Sequence, residues 1–207
     1  MTSDEGSKPP DPQEALKFTR QVIINNLPYI FESVTPEFPS DFLWVVKVPN
    51  WEEQKQKAEE MVREGKIDNR WVESLKGLAL GEGAVGSIRV SQVEPKDGAP
   101  SIGISRVQTA TAYLPEEFGY NNAKGVGSFL LDNLCALADD RNWRIYLEPV
   151  ERGGGLPQYQ LYSWYLRKGF KNEGELPEEI RHRFGGMIRQ PGAPISRRGY
   201  KKLERRR

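Results

Sequence analysis

The stretch Asn122-Ala-Lys-Gly-Val-Gly-Ser128 places two closely spaced glycines at the start of a predicted helix. Apolar residues recur at three- and four-residue spacing from Val126 to Asp140, which predicts an amphipathic helix over that range. Glycines at 125 and 127 let the backbone approach a ligand, and the first N–H groups of a helix point toward an anion. The stretch therefore predicts either a phosphate cradle or a plain junction between a loop and a helix.

A second predicted helix lies about forty residues further on, from Gln158 to Lys168, with Gly169 as its stop. It contains three tyrosines at three-residue spacing, namely Tyr159, Tyr162 and Tyr165. Such a stripe is typical of a buried core, because aromatic side chains dominate buried area. It can also bring a phenolic acid to the ligand held at the first helix, and the pairing suggests chemistry on a phosphate-bearing acyl carrier.

The chain before these helices predicts a series of shorter elements. The apolar spacing from Gln13 to Leu27 predicts an amphipathic helix that Pro28 ends. Further patterns predict, in chain order, a strand at 42–48, a charged helix at 51–64 capped by Gly65, a short helix at 68–77, and strands at 77–81, 84–93 and 102–114.

Two more strands are predicted after the first glycine-rich helix, at 144–150 and 184–189. Gly81-Glu-Gly-Ala-Val-Gly86 matches a dinucleotide-binding pattern, but that pattern has meaning only between a strand and a helix. Because 87–90 continues as strand, these glycines are predicted to serve a hairpin. The order of elements predicts an α/β domain with a mixed sheet.

Composition excludes several classes of protein. The 207 residues are 37% hydrophobic and carry a net charge of +1, as in a soluble globular domain. Cys135 and His182 are the only residues of their types, which excludes an internal disulfide and a cysteine-based zinc site and disfavours a catalytic triad. Cys135 is predicted to lie in the core. No apolar run is long enough for a membrane span, and residues 1–10 lack a secretory signal, so a cytoplasmic location is expected.

The two ends of the chain differ from its middle. Residues 1–12 are polar and proline-rich and are predicted to be disordered. Residues 196–207 hold seven Arg or Lys against one Glu, which suits an acidic partner, nucleic acid or anionic membrane, or a solvated terminus. A single domain is therefore expected over 13–195.

Two motifs resemble one protein family. Tyr165-Leu-Arg-Lys-Gly-Phe170 resembles the Tyr-x-x-x-Gly-Phe motif of the GNAT superfamily of N-acyltransferases. Asn122-x-x-Gly-x-Gly127 resembles that family's acyl-CoA pyrophosphate loop, although Gln or Arg usually stands where this chain has Asn122. The element order from about 42 to 189 is also similar. The resemblance implies a mixed, mostly antiparallel central sheet flanked by helices.

The resemblance also implies an activity and the residues that perform it. An acetyl group would pass from acetyl-CoA, without a metal, to a primary amine of a protein, peptide or small molecule. Tyr165 would be the general acid, with Tyr162 as the neighbouring alternative, and Glu148 is the first choice for the base, although it could be a plain surface charge. The implied acetyl-CoA-binding residues are Tyr113, Leu114, Asn122, Ala123, Lys124, Gly125, Val126, Gly127 and Ser128.

Two other functions fit the same sequence. The chain could be a GNAT-like fold that binds or assembles without catalysis, with Asn122 as a sign of a lost site. It could also bind a partner or nucleic acid through its basic tail, 196–207. Binding of acetyl-CoA separates the enzyme from both alternatives.

Overall fold

The computed structural model of the chain describes residues 18–34, 41–69, 83–94, 97–109, 125–150, 156–172 and 186–195. In chain order the elements are β1 (Thr19–Ile24), β2 (Leu27–Val34), β3 (Asp41–Lys47), α1 (Trp51–Arg63), β4 (Ala84–Val93), β5 (Ser101–Thr109), α2 (Val126–Asp140), β6 (Arg144–Leu147), α3 (Gln158–Arg167), β7 (Lys171–Asn172) and β8 (Met187–Arg189).

The strands form a mixed sheet in the order β1-β2-β3-β4-β5-β6-β8-β7. β1 with β2, β2 with β3, β3 with β4, β6 with β8 and β7 with β8 are antiparallel, whereas β5 and β6 are parallel. The predicted fold class, a mixed and mostly antiparallel sheet with helices, is confirmed. The parallel pair follows from α2, because parallel neighbours need a long crossover between them.

The predicted helix from Gln13 to Leu27 is wrong over its described part. Residues 19–34 form the β1–β2 hairpin, in which Ile24 pairs with Leu27. Asn25 and Asn26 make the turn with φ of 51° and 66°, the left-handed conformation that two-residue hairpin turns require. Pro28 does not end a helix but lies within β2. The run of β-branched residues before the two asparagines favours a strand over a helix.

Several other predictions are confirmed by the structure. β3, β4, α1, α2 and α3 match the predicted ranges to within a residue or two. β4 continues through 87–90 as a strand, so the 81–86 glycine pattern does not open a helix. Cys135 is a free cysteine and is fully buried, as predicted for a core residue.

Two predicted strands are shorter in the structure. β6 ends at Leu147 rather than 150, because Pro149 has no N–H with which to continue the ladder. β8 begins at Met187, after Gly186 turns the chain with φ of 117°. β7 was not predicted. The helix and strand predicted within 70–82, the end of the 102–114 strand, His182 and both chain ends lie outside the described residues.

The chain divides into two compact units. Unit 1 contains Met1–Gln92 and Arg106–Leu131, and unit 2 contains Val93–Ser105 and Asp132–Arg207. The expectation of a single domain over 13–195 stays a prediction. Among the described helices, none is long and apolar enough to cross a membrane.

Each unit has its own core. In unit 1 the rings of Phe18, Phe31 and Trp44 meet edge to face at centroid distances of 4.7–5.7 Å, and Phe129 of α2 adds a contact at 5.0 Å to Phe31. In unit 2 the fully buried side chains include Leu134, Trp143, Ile145, Leu147, Phe170 and Met187. Aromatic contacts of this geometry add about 1 kcal/mol each to the burial of apolar area.

Candidate functional site

The start of α2 lies in unit 1 and is the described part of the predicted anion cradle. Gly125 precedes the helix with φ of 87°, and its carbonyl accepts the N–H of Phe129 at 2.8 Å. The N–H groups of the first turn have no carbonyl of the same helix to bond, and the helix dipole adds positive potential there. The first turn carries no acidic residue, so nothing in it opposes an anion.

Gly86 of β4 sets how closely this helix approaches the sheet. A β-carbon on Gly86 would lie 2.4 Å from Cγ1 of Val126 and 3.3 Å from the carbonyl oxygen of Gln108. Real β-carbons do not come this close, so only glycine allows Val126 to pack there. Sequence analysis assigned Gly86 to a hairpin and missed this role. A glycine in the interior of a strand was the available signal, since it often marks close approach.

The β1–β2 turn contacts the same helix start. The side-chain nitrogen of Asn25 lies 2.9 Å from the position that a β-carbon on Gly125 would occupy. A glycine is therefore required at position 125 for two reasons: its φ is positive, and a β-carbon there would lie too close to the Asn25 side chain. Asn25 was missed because the sequence analysis placed it in a helix, although an Asn-Asn pair before a second apolar run is a hairpin signal.

The other residues predicted to bind acetyl-CoA divide into two groups. Val126 is buried, and Gly127 and Ser128 are half-buried in the first turn of α2. Tyr113, Leu114, Asn122, Ala123 and Lys124 lie outside the described residues, so their roles stay predictions.

The predicted base lies at the end of β6 in unit 2. Glu148 follows Leu147 directly and is exposed, whereas both Leu147 and Pro149 are buried. β6 pairs with β5 from Ser101 to Ile104, and β5 then runs on to Thr109. Glu148 therefore follows the carboxyl end of a parallel strand, the end at which open sheets of this kind bind ligands.

The predicted acid Tyr165 is 6% exposed and has aromatic neighbours in unit 2. Its ring centroid lies 5.6 Å from that of Phe170 and 4.8 Å from that of Trp164. Burial raises the pKa of Tyr165 to about 12. Its phenol is therefore protonated at all physiological pH values and is a weaker acid than an exposed tyrosine.

The Tyr165-x-x-x-Gly169-Phe170 motif forms the carboxyl-terminal cap of α3. The N–H of Phe170 donates to the Tyr165 carbonyl at 3.2 Å, and the N–H of Gly169 donates to the Leu166 carbonyl at 3.1 Å. Gly169 has φ of 84°. These bonds define a Schellman cap, whose usual apolar contact is here the Tyr165–Phe170 ring pair. The helix cap alone thus explains the spacing of Tyr165, Gly169 and Phe170, whether or not Tyr165 is catalytic.

Tyr162 is half-buried and its hydroxyl lies close to Gly186. The hydroxyl oxygen and Cδ of Pro149 each lie 3.7 Å from the position that a β-carbon on Gly186 would occupy. Tyr159, by contrast, is 70% exposed, and its hydroxyl accepts a hydrogen bond from Gln160. The Tyr162 hydroxyl and Pro149, the residue after Glu148, therefore both lie beside Gly186.

Comparison with known proteins gives two structural likenesses. No protein-family model and no curated protein matches the sequence. The crystal structure of the anti-CRISPR protein AcrVA5 aligns with a TM-score of 0.35 and 19% identity, over 50% of this chain and 86% of that one. Arabidopsis thaliana Naa50 in complex with the bisubstrate analogue CoA-Ac-MVNAL aligns with a TM-score of 0.35 and 18% identity, over 72% and 97%. A likeness at this level carries no argument about function.

Proposed function

We propose that the chain is a GNAT-type N-acetyltransferase that transfers the acetyl group of acetyl-CoA to a primary amine of a protein, peptide or small molecule. The observation that carries the proposal is the β5-α2-β6 unit, in which a glycine of positive φ opens the helix between two parallel strands. Sheets with parallel strands bind ligands at the carboxyl ends of those strands, and a helix amino terminus attracts anions.

The chain's own residues fit an acyl-CoA pyrophosphate. Gly125 enters the helix with positive φ, and the first turn of α2 offers backbone donors without an opposing carboxylate. The resemblance assigns this group to residues 122–128, and Gly125, Val126 and Gly127 would hold it through the backbone. Acetyl-CoA supplies an acetyl thioester that an amine can attack directly.

The acceptor amine needs a base before it can attack. An amine of pKa near 10.4 is only about four parts in ten thousand neutral at pH 7, a cost of roughly 4.6 kcal/mol. Glu148 would accept that proton, directly or through water, and its exposure after β6 supports contact with solvent. The nitrogen then bonds to the carbonyl carbon as the carbon–sulfur bond breaks, and it loses a second proton, which balances the one that the sulfur gains and restores the donating phenol.

The departing sulfur needs a proton, which Tyr165 or Tyr162 would donate. With its pKa near 12, Tyr165 would donate to a thiolate of pKa about 8.5 at a cost of about 5 kcal/mol, against about 2 kcal/mol for an ordinary phenol. This cost makes Tyr162, with its hydroxyl near Gly186, the alternative donor.

The cradle is tested by a glycine substitution and a matched control. We expect Gly125→Ala to lower the affinity for acetyl-CoA about tenfold, the effect of a misfit of about 1.4 kcal/mol. Gly98→Ala is the control, because Gly98 also has positive φ, 68°, but its added carbon would meet no atom of the described residues within 4 Å apart from its chain neighbours. Isothermal calorimetry measures both. Equal affinities in the two variants would remove the cradle from the account.

The donor is tested by single-oxygen deletions on α3. Tyr165→Phe keeps the ring contacts and is expected to reduce turnover while acetyl-CoA affinity is retained. Tyr162→Phe is the paired variant, and whichever of the two reduces turnover more identifies the donor. Turnover unchanged in both variants would rule out a tyrosine acid on α3. Acetyl-CoA binding without turnover on any amine or peptide would favour the non-catalytic GNAT-like module.

A separate proposal concerns the basic tail, 196–207, as the contact for an acidic partner. Its seven positive charges would bind through charge attraction, which added salt screens. Deleting 196–207 tests it with polyglutamate as the probe. Salt-sensitive binding that disappears with the tail is expected, and binding that survives the deletion would refute the proposal.

A further inference from the structure

A single arginine in unit 2 ties together four segments of the chain. Arg189 lies in β8, and its side chain is 0% exposed. Its guanidinium donates to both carboxylate oxygens of Asp139, at 2.6 and 2.8 Å, and to the carbonyls of Lys168 at 3.0 Å and Ala193 at 2.8 Å. We call Arg189, Asp139 and these two carbonyls the Arg189 clamp.

The clamp satisfies almost every donor that a guanidinium has. Four of its five N–H groups are accounted for by the contacts to Asp139, Lys168 and Ala193. Asp139 also accepts the N–H of Gly192 at 2.6 Å, so the turn after β8 is held from two sides. The hydrogen bonds from Arg189 hold the pKa of the Asp139 carboxyl below its ordinary value.

The clamp acts directly on the last turn of α3. Arg189 binds the carbonyl of Lys168, whose own N–H donates to the Tyr165 carbonyl at 2.9 Å. Gly169 is held on the other side, since an added β-carbon there would lie 3.0 Å from the Pro194 carbonyl and 3.1 Å from Cβ of Ala193. The ammonium group of Lys168 also pairs with Asp132 of α2.

A contribution to stability alone does not explain why an ion pair, Arg189 with Asp139, occupies this place in unit 2. A buried ion pair must recover the large cost of desolvating both charges, and apolar side chains of similar size often stabilise a core as well or better. What the guanidinium supplies instead is direction, because its planar fork fixes the positions of several acceptors at once. The acceptor that leads to a predicted functional residue is the Lys168 carbonyl, three residues after Tyr165.

We infer that Arg189 is a positioning residue for the general acid: through the Lys168 carbonyl it fixes the cap of α3 and hence the placement of Tyr165. The inference rests on the proposed function. It predicts that loosening the clamp lowers the rate of the proton-dependent step without changing the affinity for acetyl-CoA, because the proposal gives Tyr165 a role in proton transfer and gives the binding of acetyl-CoA to other residues.

A double-mutant cycle between Arg189 and Tyr165 tests this. Arg189→Lys keeps the positive charge but not the planar fork. Displacing a catalytic group by about 1 Å can cost on the order of a hundredfold in rate, so a loss of kcat of about tenfold or more is expected. In the Tyr165→Phe background the same change should lower kcat less than about twofold, because residues that act as a unit are not additive. The probe is acetyl-CoA with a panel of primary amines and peptides with free amino termini.

Two further variants protect the test from a folding artefact. Asp139→Asn keeps the shape of the side chain that accepts from Arg189. It should also lower kcat only when the Tyr165 hydroxyl is present, by a smaller factor than Arg189→Lys does. Arg144→Lys is the matched control, since Arg144 pairs with the exposed Asp97 in the same unit, away from the cap of α3. Its kcat is expected to equal that of the parent protein.

Each outcome has a distinct meaning. An equal loss of kcat with and without the Tyr165 hydroxyl, or no loss in folded Arg189→Lys and Asp139→Asn, would overturn the inference while acetyl-CoA binding still supports the proposed function. Full turnover in Tyr165→Phe would overturn it as well. A parent protein that binds no acetyl-CoA would overturn the proposed function first, and the inference with it.

Discussion

The carboxyl-terminal ends of α1 and α3 have the same backbone cap in different surroundings. In α1 the N–H of Gly65 donates to the Val62 carbonyl and that of Lys66 to the Met61 carbonyl, both at 2.9 Å. In α3 Gly169 and Phe170 make the equivalent bonds. The glycines have φ of 71° and 84°, the left-handed conformation in which such caps place a glycine.

The difference lies in what packs on each cap. Among the described residues beyond its chain neighbours, none would lie within 4 Å of an added β-carbon on Gly65, and the neighbouring Glu64–Lys66 pair is largely exposed. Gly169 lies against Ala193 and Pro194, and the Arg189 clamp holds the residue before it. A cap motif by itself therefore indicates only a helix end. Its packing indicates where the chain has fixed a side chain, here Tyr165, in one place.

The largest expected difference between the two caps comes from breaking the clamp. Asp139→Ala leaves Arg189 buried without its carboxylate, and we expect a loss of about 3 kcal/mol in the free energy of unfolding. Asp97→Ala, which removes the exposed partner of Arg144, is the control and should leave the urea midpoint unchanged. Urea titration followed by circular dichroism measures both. Equal midpoints in both variants would show that the clamp does not stabilise the cap.

The two cap glycines should tolerate alanine differently. Gly65→Ala costs only the left-handed strain of a residue with a β-carbon, about 1–2 kcal/mol. Gly169→Ala adds crowding against Ala193 and Pro194 and should cost about 2–4 kcal/mol. Thermal and urea unfolding of the pair check the order. The comparison fails if Gly65→Ala is as destabilising as Gly169→Ala.

Acid should weaken the α3 cap in a way that salt does not mimic. The pKa of Asp139 is lowered in the folded state, mainly by hydrogen bonds from Arg189. Ionised Asp139 therefore stabilises the folded protein fully at pH values above its unfolded pKa of about 3.9. This stabilisation is lost as the pH falls through the lower, folded pKa. The pKa of Glu64 is also lowered, by the hydrogen bond from Lys66, but that exposed pair is screened by salt. Unfolding free energies at pH 7 and pH 3, in low and high salt, should show an acid-dependent loss that salt leaves in place and that Asp139→Asn reduces. An acid loss of the same size in Asp139→Asn would refute it.

The smallest expected effect is in the reactivity of Cys135. Burial raises the pKa of this thiol to about 12, and the side chain lies among the charges of the clamp. A disulfide reagent should therefore modify the folded protein only as slowly as unit 2 opens, and faster in Asp139→Ala than in the parent. Rapid labelling of the parent protein at pH 7 would contradict the packing described for unit 2.

Much of this fold could be predicted from local pattern, and the exceptions have physical causes. α2 has long apolar periodicity and begins directly after a glycine, and α3 ends at Gly169, so their ranges were predicted correctly. The β1–β2 hairpin was missed because three- and four-residue spacing over a short segment also fits a strand, and only the Asn25–Asn26 turn separates the two. The predicted strand at 144–150 was longer than β6 because the prediction did not take into account that Pro149 lacks an N–H.

The candidate site was predicted in part for a similar reason. Gly125 to Ser128 and Tyr165 lie in contiguous motifs, and contiguous motifs can be found in a sequence. Gly86, Asn25 and the Arg189 clamp join residues far apart along the chain, and no spacing rule connects Asp139 with Arg189. Whether Tyr113, Leu114 and Asn122 to Lys124 bind acetyl-CoA stays a prediction.

Titration of the full chain with acetyl-CoA by isothermal calorimetry tests the central claim most directly. An acyltransferase with its pyrophosphate cradle at Gly125 should give saturable 1:1 binding at micromolar ligand, weakened in Gly125→Ala and retained in Gly98→Ala. No heat of binding at high micromolar acetyl-CoA, with the protein folded by circular dichroism, would contradict the account.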